Sequence, residues 1–141
     1  MPIEMTGKNV IVTGAGGGIG RATCIKLAES GANLVLVDRD DKLVAATKEA
    51  VDKLGVESIV VIADVTSEKD VQNYVAAATD KFGTIDGFFN NAGIEGVLSP
   101  TAEVSYADWS KVINVNLHGV FLGLRYVLPV MRKQKSGAVV C

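Results

Sequence analysis

Thr13-Gly14-Ala15-Gly16-Gly17-Gly18-Ile19-Gly20 decides how the rest of this chain is read. An apolar run, Val10-Ile11-Val12, leads into it, and a helix-like segment from Arg21 to Ser30 leads out. Strand, glycine turn and helix in that order is the setting in which a glycine-rich loop binds phosphate. A helix start leaves backbone N–H groups without partners, and the aligned peptide dipoles place partial positive charge there. A pyrophosphate answers both, provided no Cβ blocks its approach. Glycine removes that obstacle and permits the turn.

Working outward, apolar strands and amphipathic helices alternate. Leu34–Val37 reads as a buried strand, Ile59–Ile62 as a third strand, Gly87–Phe89 as a fourth, and Ala138–Cys141 as the start of a fifth. The first helix closes at Ser30-Gly31, where glycine suits the turn after a helix. A second helix spans Asp40 to Leu54, with Leu43, Ala46, Ala50, Val51 and Leu54 as its inward stripe. Ser67 caps a third that runs to Phe82, facing Val71, Tyr74, Val75, Ala78 and Phe82 inward. Ser99-Pro100 opens a short helical piece. A long helix then runs from about Tyr106 to Lys133, apolar on more than one side, and Pro129 should kink it or end it early.

Continuous apolar strands alternating with helices predict an α/β fold: a doubly wound, Rossmann-like parallel sheet covered on both faces. The expected strand order is 3-2-1-4-5, truncated at the fifth strand, in one domain over residues 1–141. Ligands of such sheets bind beyond the carboxyl ends of the strands.

Composition narrows the class. The chain is 48% hydrophobic and 21% charged, with a net charge of −2, which disfavours a nucleic-acid partner. No apolar run approaches a membrane span, and the start, Met1-Pro2-Ile3-Glu4, has no basic region or signal core. Cys24 and Cys141 make no disulfide framework, so a reduced, cytoplasmic protein is expected, with Cys24 a small core residue. No metal ligands are assigned.

The glycine spacing discriminates further. G-x-G-x-x-G fails, because its last position falls on Ile19, Arg21 or Thr23 from any of the three starts Gly14, Gly16 and Gly18. Thr-Gly-x-x-x-Gly-x-Gly fits, on Thr13, Gly14, Gly18 and Gly20. The pattern resembles that of the short-chain dehydrogenase/reductase family. The resemblance extends from Gly7-Lys8 through Gly137, and Gly87–Gly96 is most similar to the levodione-reductase branch of that family. It implies an oxidoreductase that moves hydride between a nicotinamide cofactor and a secondary alcohol or ketone. A homo-oligomer, tetramer or dimer, would be built partly on the long helix.

The expected cofactor residues follow strand by strand. The first strand end supplies Gly14, Gly18, Ile19 and Gly20. The second supplies Asp38, 18 residues beyond Gly20 and near the offset of the acid that accepts hydrogen bonds from an adenosine ribose. Its negative charge favours NAD over NADP, although Asp38 also reads as a helix N-cap. Arg39 either pairs with a phosphate or lies over the adenine. The resemblance places Asp64 and Val65 at the adenine ring, where the residues alone read equally as a turn before Ser67. It places Asn91, Ala92 and Gly93, within Asn90-Asn91-Ala92-Gly93, between neighbouring strands and facing the cofactor.

Asn116 sits mid-helix, where Asn has poor propensity. The resemblance gives it a catalytic part, in which it distorts the helix and its carbonyl holds a proton-relaying water. The plainer alternative is a helix–helix contact. His118 reads as a surface or interface residue. The family's chemistry also needs a Ser and a Tyr-x-x-x-Lys, and neither is met: Tyr74, Tyr106 and Tyr126 are followed four residues on by Ala78, Ser110 and Val130. The chain is therefore expected to be a fragment of a longer polypeptide and inactive alone. The alternative is a non-catalytic dinucleotide-binding or assembly domain.

Overall fold

The computed structural model describes residues 3–141; Met1 and Pro2, counted in the expected domain, lie outside the described residues. The strands are β1 (Asn9–Thr13), β2 (Asn33–Asp38), β3 (Ser58–Ile62), β4 (Gly87–Phe89) and β5 (Ala138–Val140). They form one parallel sheet in the order β3-β2-β1-β4-β5. The chain steps outward from β1 to β3, then crosses to the other side of β1 for β4. The strand order therefore reverses at β1, and a crevice opens between the carboxyl ends of β1 and β4.

Alternation along each strand divides the core between the two faces. Ile11, Val35, Val37 and Phe88 meet α3 (Glu68–Phe82) and α5 (Gly119–Gln134) through Val71, Tyr74, Ala78, Val127 and Met131. Val10, Val12, Leu34 and Leu36 meet α1 (Gly18–Glu29) and α2 (Asp41–Asp52) through Cys24, Ala28, Val44 and Val51. Cys24 is fully buried, and desolvation pushes its thiol up to about 12. Among the described residues no helix is long and apolar enough to cross a membrane.

Three local expectations need correction. The buried stripe of α2 is Val44, Thr47 and Val51, while Leu43 and Leu54 are exposed. Thr47 faces inward because its hydroxyl has a buried acceptor there, so hydrophobicity alone put the stripe on the wrong residues. Helix α1 begins at Gly18, not Arg21, because the glycines that looked like loop form its first turn. The long helix is two α-helices, α4 (Tyr106–Ile113) and α5, joined by a π-helical turn over Asn114–His118. It runs on past Pro129 to Gln134. Pro129, which has no N–H to donate to the Arg125 carbonyl one turn back, is an exposed residue of the helix.

Candidate functional site

The glycine loop is held from both sides. Thr13, at the end of β1, accepts the Asn91 and Ala92 N–H groups on its Oγ1 at 3.0 and 3.1 Å. The Asn91 side-chain amide donates to the Thr13 carbonyl at 3.0 Å. These bonds stitch β1 to the segment after β4. Asn90 Nδ2 donates to the Val120 carbonyl at 2.9 Å and ties the same segment to α5.

Gly20 must be glycine for packing reasons alone: a Cβ there would lie 1.9 Å from the Gly14 carbonyl oxygen. Gly18 differs, since a Cβ there would meet no protein atom within 4 Å and would stand in the open cleft. That is the arrangement of a cradle left clear for something brought from outside.

The helix ends sharpen the point. Asp40, Ser67 and Ser105 cap α2, α3 and α4 with side-chain oxygens. Helix α1 has Gly17 at its N-cap, no side-chain cap and no acidic residue in its first turn. Its leading N–H groups and the positive end of its dipole therefore face the cleft without an acceptor from a side chain.

The cleft has a volume of about 540 Å³ and is bordered by the glycine loop, the β2 end and the segment after β4. It brings together Gly14, Gly18, Ile19, Gly20, Asp38, Arg39, Val65, Asn91, Ala92 and Gly93. Ile19 is 71% exposed over it. Asp38 is not the cap of α2; Asp40 is. The Asp38 carboxylate accepts the Gly16 N–H at 2.8 Å and the Asp40 N–H at 3.0 Å. A carboxylate has about four lone-pair sites, so two bonds leave it able to accept more.

Asp64 does not line the cleft. Its carboxylate accepts from the Thr66 N–H at 2.8 Å and the Thr66 hydroxyl at 2.7 Å, and these bonds hold its carboxyl below the usual carboxylate range. Asn116 also stands just outside. Its amide clasps Ile94, a cleft residue, donating to the Ile94 carbonyl and accepting the Ile94 N–H, both at 2.9 Å. The contact is thus helix to loop rather than helix to helix, and it lies within the π turn. His118 is exposed.

Among the described residues no tyrosine borders the cleft. Tyr74 is fully buried without a hydrogen-bond partner, and desolvation pushes its hydroxyl well above the tyrosine range. Tyr126 bonds Glu68 and Gln72 on α3, and Tyr106 is exposed. Among the described residues no group of three or more His, Cys, Asp or Glu could hold a metal ion.

Sequence reasoning missed the anchoring hydroxyls of Thr13 and Thr47. Thr13 was legible as the first letter of the loop motif. Thr47 carries no signal short of the fold.

A doubly wound parallel sheet with an uncapped, glycine-lined helix start at its switch point defines a Rossmann-like nucleotide-binding unit. Comparison places it further: the family model for short chain dehydrogenase matches residues 8–141, and the chain belongs to that family. It is 50% identical over 139 residues to levodione reductase of Leifsonia aquatica, covering 97% of this chain and 52% of that protein. The crystal structure of levodione reductase superposes with a TM-score of 0.94 at 48% identity, over 96% of this chain and 54% of that one. A crystal structure of NAD+-bound xylitol dehydrogenase also reaches 0.94, at 37% identity over 96% of this chain and 52% of the other. The chain spans about half the length of the relatives it matches.

Proposed function

We propose that the cleft binds a nicotinamide dinucleotide, NAD(H) in preference to NADP(H), and that the whole protein is an oxidoreductase acting on a secondary alcohol or ketone. The observation that carries this is the uncapped, glycine-lined start of α1 opening on a cleft with a carboxylate at the next strand end. Family membership and the NAD+-bound relative support it.

The bound cofactor supplies the hydride chemistry. The chain's own residues bind and orient. The N–H groups of Gly18, Ile19 and Gly20 take the pyrophosphate. Asp38 accepts from the adenosine ribose, and its charge repels a 2′-phosphate. Arg39 and Val65 flank the adenine, with Asp64 holding the turn that presents Val65 and keeping an acceptor for the exocyclic amine. Asn91, Ala92 and Gly93 form the wall beneath the nicotinamide half. Asn116 fixes Ile94 with its side chain, and its main-chain carbonyl, in the π turn, is the acceptor we assign to a relayed water. With no tyrosine in the cleft, residues 1–141 alone bind without turnover.

Titration with NADH and NADPH tests the assignment. NADH is expected to bind more tightly, and Asp38→Ala to narrow the gap while weakening both, since it also releases the Gly16 N–H. Tighter NADPH binding by the unmodified chain would refute the ribose assignment.

A second reading concerns assembly. Trp109, Leu117, Phe121 and Leu128 on α4, the π turn and α5 are large apolar side chains between 41% and 58% exposed. Such a face favours association, and we assign it to a homo-oligomer contact. It is compatible with the enzymatic reading and with a non-catalytic binding or assembly domain.

A further inference from the structure

The peptide unit joining Ala15 to Gly16 has both polar groups held by side chains, and these come from different elements. Its N–H donates to Asp38 Oδ2 at the end of β2, at 2.8 Å. Its carbonyl accepts from Thr47 Oγ1 on α2, at 2.9 Å. The Ala15 N–H donates to the Val37 carbonyl at 3.0 Å. The Ala15–Gly16 peptide is thus fastened to β2 and α2, while Gly14 before it and Gly17 to Gly20 after it border the cleft.

Thr47 is fully buried, as is Ala15, so water has no access to replace the bond. A Thr inside a helix ordinarily donates to the carbonyl four residues back. Here that alternative, the Leu43 carbonyl, lies at 3.4 Å, and the shorter bond goes to the loop. Thr47 itself does not border the cleft.

We propose that Thr47 is a positioning residue for the phosphate-binding loop: its hydroxyl, acting from α2 through the Ala15 carbonyl, sets the loop in the shape that receives the pyrophosphate. This rests on the dinucleotide reading above. A loop ordered before the ligand arrives does not spend binding energy on being ordered. Removing the bond leaves a buried carbonyl unpaired, and the loop relieves it by shifting.

The test compares Thr47→Val, a near-isosteric swap that deletes the hydroxyl, with Thr47→Ser, which keeps it. Ligands with and without a phosphate chain separate positioning from general damage. For Thr47→Val, NADH and ADP affinity is expected to fall about three- to tenfold while adenosine changes less than about twofold. Thr47→Ser is expected to bind NADH and ADP as the unmodified chain does. An equal loss for all three ligands, or no loss, overturns the proposal. Should Thr47→Val fail to fold, the unmodified chain still decides by NMR: the Thr47 hydroxyl proton must be protected from exchange with water, and fast exchange overturns the proposal. If the unmodified chain binds no NADH, the dinucleotide reading falls first; if it binds and Thr47→Val binds equally well, only this inference falls.

Discussion

Gly20 shows how much a single position can require. The side chain it lacks would collide with the Gly14 carbonyl, and Asn91 Nδ2 would stand 3.0 Å away. Gly20→Ala is therefore expected to destabilise the chain by roughly 1–3 kcal/mol and to abolish NADH binding, since the loop must shift. Thermal melting and titration check both; unchanged values for the two would contradict the packing seen here. Gly20 was legible beforehand because the motif demands glycine, and the structure supplies the steric reason. The place of Asp38 on the cleft was legible too, from its distance along the chain, but its bond to Gly16 was not. A contact between positions 22 residues apart, made through the fold, leaves no local trace. Asp64 illustrates the opposite case: the two readings open in the sequence, turn former and adenine contact, are separated by geometry only in part. Its carboxylate serves the turn and retains free lone pairs.

At the level of elements, the strands were the most readable, because each is an uninterrupted apolar run; β1 and β2 are buried along nearly their whole length, while β3 and β5, at the sheet edges, are partly exposed. Helix α2 was the least readable. Its inward face includes a threonine, and Leu43, an obvious core candidate, borders the cleft instead. The π turn was foreseeable only through the family resemblance that singles out Asn116; nothing in the local pattern marks five residues of altered hydrogen bonding. The end of α5 carries its own anomaly. Lys135 occupies the left-handed region at φ 57°, a position that glycine usually takes after a helix. Lys135→Gly is expected to stabilise the chain by about 0.5–1 kcal/mol, the left-handed cost exceeding the entropy glycine gives up. A denaturant midpoint that falls rather than rises would show that the lysine side chain contributes more than its backbone costs.

At the scale of the whole molecule, two surfaces matter: the cleft at the strand ends and the apolar face along α4 and α5. To the first we assign dinucleotide binding, and to the second association between copies. The 141-residue chain is expected to show no turnover with NAD and a panel of secondary alcohols, for want of a proton-transferring tyrosine in the cleft. Positioned general acid–base help contributes about 10²–10⁴-fold, so its loss leaves little to observe. Light scattering on the same sample is expected to give a mass above the 14.8 kDa monomer. Turnover from a clean monomer would contradict both expectations and require a proton donor outside the three tyrosines.

The central claim is that the glycine-lined start of α1 receives a dinucleotide, and the most direct measurement is an amide chemical-shift map of the chain titrated with NADH. The account predicts shifts concentrated on residues 14–20, Asp38, Arg39, Val65 and residues 91–95, with the exposed face of α5 around Phe121 and Leu128 unmoved. Shifts confined to that face, or none at saturating NADH, would contradict it.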